Sequence, residues 1–158
     1  MIDARVLPHV VSALSHPEKS IRAAACQCAR SLSRSIANLR TSLVDAGLAE
    51  PMMKLLSDPS VHVKSMATST MCNILLDFSP MRKLFLERGG IERLVESVHA
   101  MEQSLRFNAL NALKNLCCNA EADVVLKVIG LLSPDTLIAF LTLFCNDVWQ
   151  SDLRQPLD

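Results

Sequence analysis

Six cysteines and four histidines offer the most specific chemistry in this chain. Cys26 and Cys28 lie two apart, Cys117 and Cys118 are adjacent, and His9, His16, His62 and His99 are scattered along the chain. Thiolates and imidazoles at suitable spacing build zinc centres, and close thiol pairs build redox sites. The spacing here suits neither. Residues two apart on a helix diverge by about 200°, and no C-x-x-C occurs. The plainer role of such a cysteine is a small buried hydrophobe. No Gly-rich phosphate loop, G-x-S-x-G elbow or H-E-x-x-H is present either. We therefore expect no catalytic residue, no metal site and no cofactor. A Cys–His pair formed only in the fold would make a thiol-dependent enzyme, and that reading is kept as an alternative.

A second set of polar residues recurs at a fixed interval of 42. Arg22, Lys64 and Arg106 share one column; Gln27, Ser69 and Asn111 share another; Ser31, Asn73 and Asn115 share a third. Side-chain amides can donate to and accept from an extended peptide backbone, so a ladder of them suits linear-segment binding. Lys64, Ser69, Asn73, Arg106, Asn111 and Asn115 are the candidate protein-binding residues. The plainer alternative is that they face solvent or satisfy neighbouring backbone.

The elements that must position these columns follow from the same interval. HPEKSIRAAACQCARSLS aligns with DPSVHVKSMATSTMCNIL, and a further shift brings in the segment ending at Leu116. The columns include Ile21/Val63/Leu105, Ala25/Ala67/Ala109 and Leu32/Ile74/Leu116, while Gly47 and Gly89 also sit 42 apart. Positions 21, 25, 28, 29 and 32, with their equivalents, draw one apolar stripe along a helix. Helical periods of 40 to 47 residues are typical of armadillo and HEAT arrays. Short first helices are expected near 36–46 and 81–88, second helices near 48–57 and 91–100, and long third helices from near Ser20, Ser60 and Ser104. Three helices per unit with a Gly turn favours the armadillo form. The expected fold is an all-α, right-handed α-solenoid of about three repeats and a partial fourth. Its units span about 6–35, 36–77, 78–119 and 120–144, within a domain of 1–144 followed by an irregular tail, 145–158. The third helices would line the concave face. Ragged ends suggest part of a longer array, with self-association through apolar stripes left open.

Composition agrees with close-packed helices: half of the residues are hydrophobic, but only 4% are aromatic. Net charge is zero, which lacks the basic excess that nucleic-acid binding draws on. The balance is uneven, with six basic and two acidic residues in 1–44 against two and six in 119–158. Neither a signal peptide nor a membrane span is expected, because acid and base interrupt the start and Lys127, Pro134 and Asp135 break the greasiest stretch. Reduced thiols in the cytoplasm or nucleus are the expectation.

LSRSIANLRTSLVDA, KLLSDPSV and MCNILLDFSPMRKLFLERGGIERLVES together resemble the armadillo repeat-containing protein eight family. That family is the armadillo subunit of the GID/CTLH ubiquitin ligase. The resemblance is densest over 23–97 and runs on to about 141. It implies a non-catalytic scaffold that links the ligase core to a substrate receptor in proteasomal degradation, with other ligase subunits as partners. The runner-up is a transport-type armadillo adaptor that binds a linear cargo peptide. Such adaptors carry Trp four residues before the ladder Asn, where this chain has Gln27, Ser69 and Asn111.

Overall fold

A computed structural model describes residues 6–35, 42, 45–75, 80–118 and 120–152. The described elements are all helices: α1 (Val6–Ala13), α2 (Lys19–Ser35), α3 (Ala49–Leu55), α4 (Val61–Ile74), α5 (Pro80–Glu87), α6 (Gly90–Val98), α7 (Gln103–Cys117), α8 (Ala122–Leu131) and α9 (Pro134–Asp152). The chain is an armadillo-type solenoid. Its backbone is the succession α2–α4–α7, the three long third helices, each packed on the next. The shorter helices α3 and α6 pack on α4 and α7 respectively. The first helix expected near 36–46 falls largely outside the described residues.

The interval of 42 is visible in the hydrogen bonds. At the start of each long helix the amides of Arg22, Lys64 and Arg106 donate to the carbonyls of Glu18, Ser60 and Glu102 at 3.2, 2.9 and 3.2 Å. The long helices differ in how their starts are capped. Ser60 occupies the N-cap of α4 but its side chain makes no capping bond. At α7 the cap is Glu102, whose carboxylate accepts from the Leu105 amide at 2.6 Å and from the Ser104 hydroxyl at 2.7 Å. A carboxylate reaches these donors more strongly than a neutral hydroxyl would.

The apolar stripe packs as the register requires in two units out of three. Val63, Ala67, Thr70, Met71 and Ile74 are buried, as are Leu105, Ala109, Ala112, Leu113 and Leu116. On α2, Ala25 and Ala29 are buried, yet Ile21 is 39% exposed and Cys28 is exposed. The reason is visible one unit later, where the Thr70 hydroxyl donates to the Cys26 carbonyl of the preceding long helix at 3.1 Å. Cys28 holds the same column, and no long helix precedes α2 among the described residues.

The adjacent Gly89 and Gly90 differ in role. Gly47 and Gly89 have φ of +89° and +70°, the left-handed conformation that a Cβ disfavours. Gly90 instead opens α6 against Phe85, where a Cβ would collide with the ring. The tail differs more. Irregular chain was expected from 145, but α9 continues to Asp152. No Gly or Pro lies between Pro134 and Asp152, so an established helix propagates at little cost without an apolar stripe.

Candidate functional site

The basic column was expected to offer its charge to a partner. Two of its members instead staple their own repeat. Arg22 Nη1 donates to the carbonyls of His16 and Pro17 at 3.0 and 2.7 Å. Two units later, Arg106 Nη1 donates to the carbonyls of Ala100 and Met101 at 2.9 and 2.8 Å. In both, the guanidinium closes the turn five and six residues back. Arg22 also grips Asp58 of the next unit, Nε to Oδ2 at 2.8 Å and Nη2 to Oδ1 at 3.1 Å. The buried Asp58 accepts the Ser60 amide as well, at 2.8 Å. Burial alone would raise its carboxyl; the Arg22 and Ser60 hydrogen bonds outweigh that and hold it below the usual carboxylate range. Lys64, the third member, is half-buried.

The amide columns divide in the same way. Asn115 is half-buried and its Nδ2 donates across to the Cys72 carbonyl of α4 at 2.7 Å. Asn111 Nδ2 donates to the Phe107 carbonyl one turn back at 3.0 Å. Ser69 is 4% exposed, and Asn73 is half-buried and engaged in contacts of its own. Asn108, which the column analysis passed over, joins α7 to α4 through Ser65, at 3.4 Å to both its carbonyl and its hydroxyl. The Cys72 thiol returns the contact to the Asn108 carbonyl at 3.1 Å. Much of the polar ladder is thus turned into the seams between long helices.

The open part of this face lies one unit earlier. A cleft of about 730 Å³ runs between α2 and α4, lined by Lys19, Ser20, Ala23, Ala24, Gln27, Arg30, Ser60, His62 and Met66. Ala23, Ala24 and Met66 supply apolar wall, and Gln27 supplies an exposed amide in the Ser69/Asn111 column. Arg30 Nε is buried and finds no hydrogen-bond partner among the described residues. Gln27 was legible in the interval of 42; Lys19, Arg30 and His62 were not, because none of the three recurs at its own column position.

Among the described residues no group of three or more His, Cys, Asp or Glu side chains could hold a metal ion. Burial pushes the Cys26 and Cys72 thiols up to about 12 and Cys117 up to about 11, so these three are protonated near neutral pH and poor nucleophiles. Cys28, Cys118 and Cys145 are exposed. His16 accepts the Glu18 amide at Nδ1, 3.0 Å away. Among the described residues no helix is long and apolar enough to cross a membrane.

Comparison with known proteins joins this geometry to a family. The HEAT repeat family pattern matches residues 6–36. GID complex subunit 5 of Schizosaccharomyces pombe is 38% identical over 147 residues, 93% of this chain. Armadillo repeat-containing protein 8 of Danio rerio is 38% identical, and that of Mus musculus 34%, each over 87% of the chain. The chain is a homologue of armadillo repeat-containing protein 8. It spans 18 to 20% of the length of these relatives, so the homology covers about a fifth of each. A repeat scaffold is the function class that such homology supports. Solved armadillo structures share the fold. The designed armadillo protein YIII(Dq.V1)4CPAF, in complex with the peptide (KR)4, superposes with a TM-score of 0.75 at 20% identity, over 85% of this chain and 56% of that one. A computationally designed armadillo protein for modular peptide recognition gives 0.72 at 21% identity, over 80% and 53%.

Proposed function

We propose that this chain is a non-catalytic docking segment of a GID-type ubiquitin ligase scaffold, holding an extended segment of another subunit on its long-helix face. The observation that carries the reading is the α2–α4 cleft, with its apolar wall, its exposed amide at Gln27 and its unsatisfied Arg30. A buried donor without a partner favours a ligand that supplies an acceptor. The homology to GID complex subunit 5 supports the choice of complex, and within it we assign the chain a link between ligase core and substrate receptor. The docking line runs from the cleft along the Gln27 and Ser31 columns, past Lys64, Asn73 and Asn111. Asn115 serves it by bridging two long helices, Arg106 by closing the turn before α7, and Ser69 by its burial beneath the line. Cytoplasm or nucleus is the expected setting.

The test is co-purification of the tagged chain from cells, with ligase subunits identified by mass spectrometry. The parent should capture GID/CTLH subunits. Gln27→Ala with Lys64→Glu and Asn111→Ala should reduce capture at least about fivefold, a loss of roughly 1 kcal/mol. Lys83→Glu with Glu87→Lys, on the exposed side of α5, should leave it unchanged. A parent that captures no ligase subunit would sink the assignment to this complex.

A further inference from the structure

The α2–α4 cleft has a definite electrostatic sign. Its nine lining residues include two fixed cations, Lys19 and Arg30, and His62, but no carboxylate. Both flanking long helices begin at this cleft: Lys19 and Ser20 form the first turn of α2, while Ser60 and His62 open α4. Neither helix has an acidic residue in its first turn. The compensating acids stand outside the cleft: Glu18 immediately precedes α2, and Asp58, two residues before the α4 N-cap, takes the Ser60 amide at 2.8 Å and is paired with Arg22. At α4 the N-cap hydroxyl of Ser60 makes no capping bond. Glu18 is the nearest carboxylate in the chain before α2, and it accepts from Ser20 Oγ at 3.3 Å. At the far end, Arg30 Nε is desolvated without a partner. Lys19 at one end, the unpaired Nε of Arg30 at the other and no carboxylate in the lining between them all point to one ligand chemistry.

We infer that the α2–α4 cleft binds an acidic, extended peptide segment, about five residues long, with one carboxylate near the α4 N-terminus and another on Arg30. The length follows from geometry. Lys19 and Arg30 stand eleven residues apart on α2, about 16 Å at 1.5 Å per residue. An extended chain covers that in about five residues at 3.3 Å each. Gln27, between them, meets the peptide backbone, and Met66 with Ala23 and Ala24 takes the apolar part of an intervening side chain. This inference rests on the cleft being the docking face, and it adds the chemistry of the partner.

Fluorescence anisotropy with labelled (Glu-Asp)4 and (Lys-Arg)4 peptides on the whole 158-residue chain tests it. The acidic peptide should bind at least about tenfold tighter than the basic one, and raising salt from about 50 to 300 mM should weaken it several-fold. Lys19→Glu should cost about tenfold in affinity while the helical circular dichroism holds, since an acid in the first turn of α2 suits the helix dipole. Arg30→Gln should cost as much, and Lys83→Glu on α5 should cost nothing. Equal or tighter binding of the basic peptide, no binding of either, or indifference to both Lys19→Glu and Arg30→Gln overturns the inference. Continued capture of ligase subunits by the Lys19→Glu chain would place the failure in the peptide chemistry alone and leave the scaffold assignment standing.

Discussion

Gly90→Ala is the substitution whose outcome the packing decides against local preference. A Cβ on Gly90 would lie 2.5 Å from Phe85 Cδ2 and Cζ and closer still to Cε2. Carbon atoms in contact sit about 3.5–4.0 Å apart, so the ring would have to retreat by about 1 Å. Phe85 is fully buried at 0% exposure and has no solvent to move into. Overpacking of this kind costs about 1–3 kcal/mol. Against it stands the gain from replacing Gly in a helix, about 1 kcal/mol at most. The net expectation is a destabilisation of about 0–2 kcal/mol. Gly130→Ala is the matched control. It lies within α8, is exposed, and has nothing within 4 Å of the added Cβ, so only the favourable part applies, about 0.5–1 kcal/mol. Thermal melts followed by circular dichroism should separate the two variants by roughly 2–10 °C, at about 2–4 °C per kcal/mol for a chain of this size. Phe85→Leu removes the colliding ring edge, so in that background Gly90→Ala should lose its penalty, a coupling of about 1–3 kcal/mol. If Gly90→Ala raised the melting temperature as Gly130→Ala does, the close approach of α6 to Phe85 would be wrong.

Two further variants probe the register and its staple. Ala67→Trp places a large ring where Ala67 is 0% exposed between long helices; it should cost at least about 1–3 kcal/mol, and an unchanged melting temperature would refute the burial of that column. Asp58→Asn should lower the melting temperature at pH 7. Because the folded carboxyl lies below its unfolded value of about 3.9, its contribution is present above that pH and fades as pH falls through the folded value. The gap between parent and variant should therefore shrink in acid, and an equal gap at pH 3 and pH 7 would show that the Arg22–Asp58 pair does not stabilise through its charge.

The interval of 42 carried the fold. An apolar stripe that repeats at one spacing cannot be buried inside a single unit, so it dictates stacking, and Ala67 and Ala109 lie buried where the columns put them. The positive φ of Gly47 and Gly89 was legible for the same local reason. What a column cannot reveal is how far apart two neighbouring helices come to rest. That distance decided that Asn115 spans the seam to the Cys72 carbonyl, that Ser69 is covered, and that Arg106 folds back on its own turn. It decided too that Arg30 lines a cleft with Lys19 and His62, a grouping with no shared residue type for alignment to find. Local sequence sets the periodicity and the turns because both depend on backbone sterics and on one helix face at a time. The sign and place of the cleft depend on two helices at once, and only their packing brings those charges together.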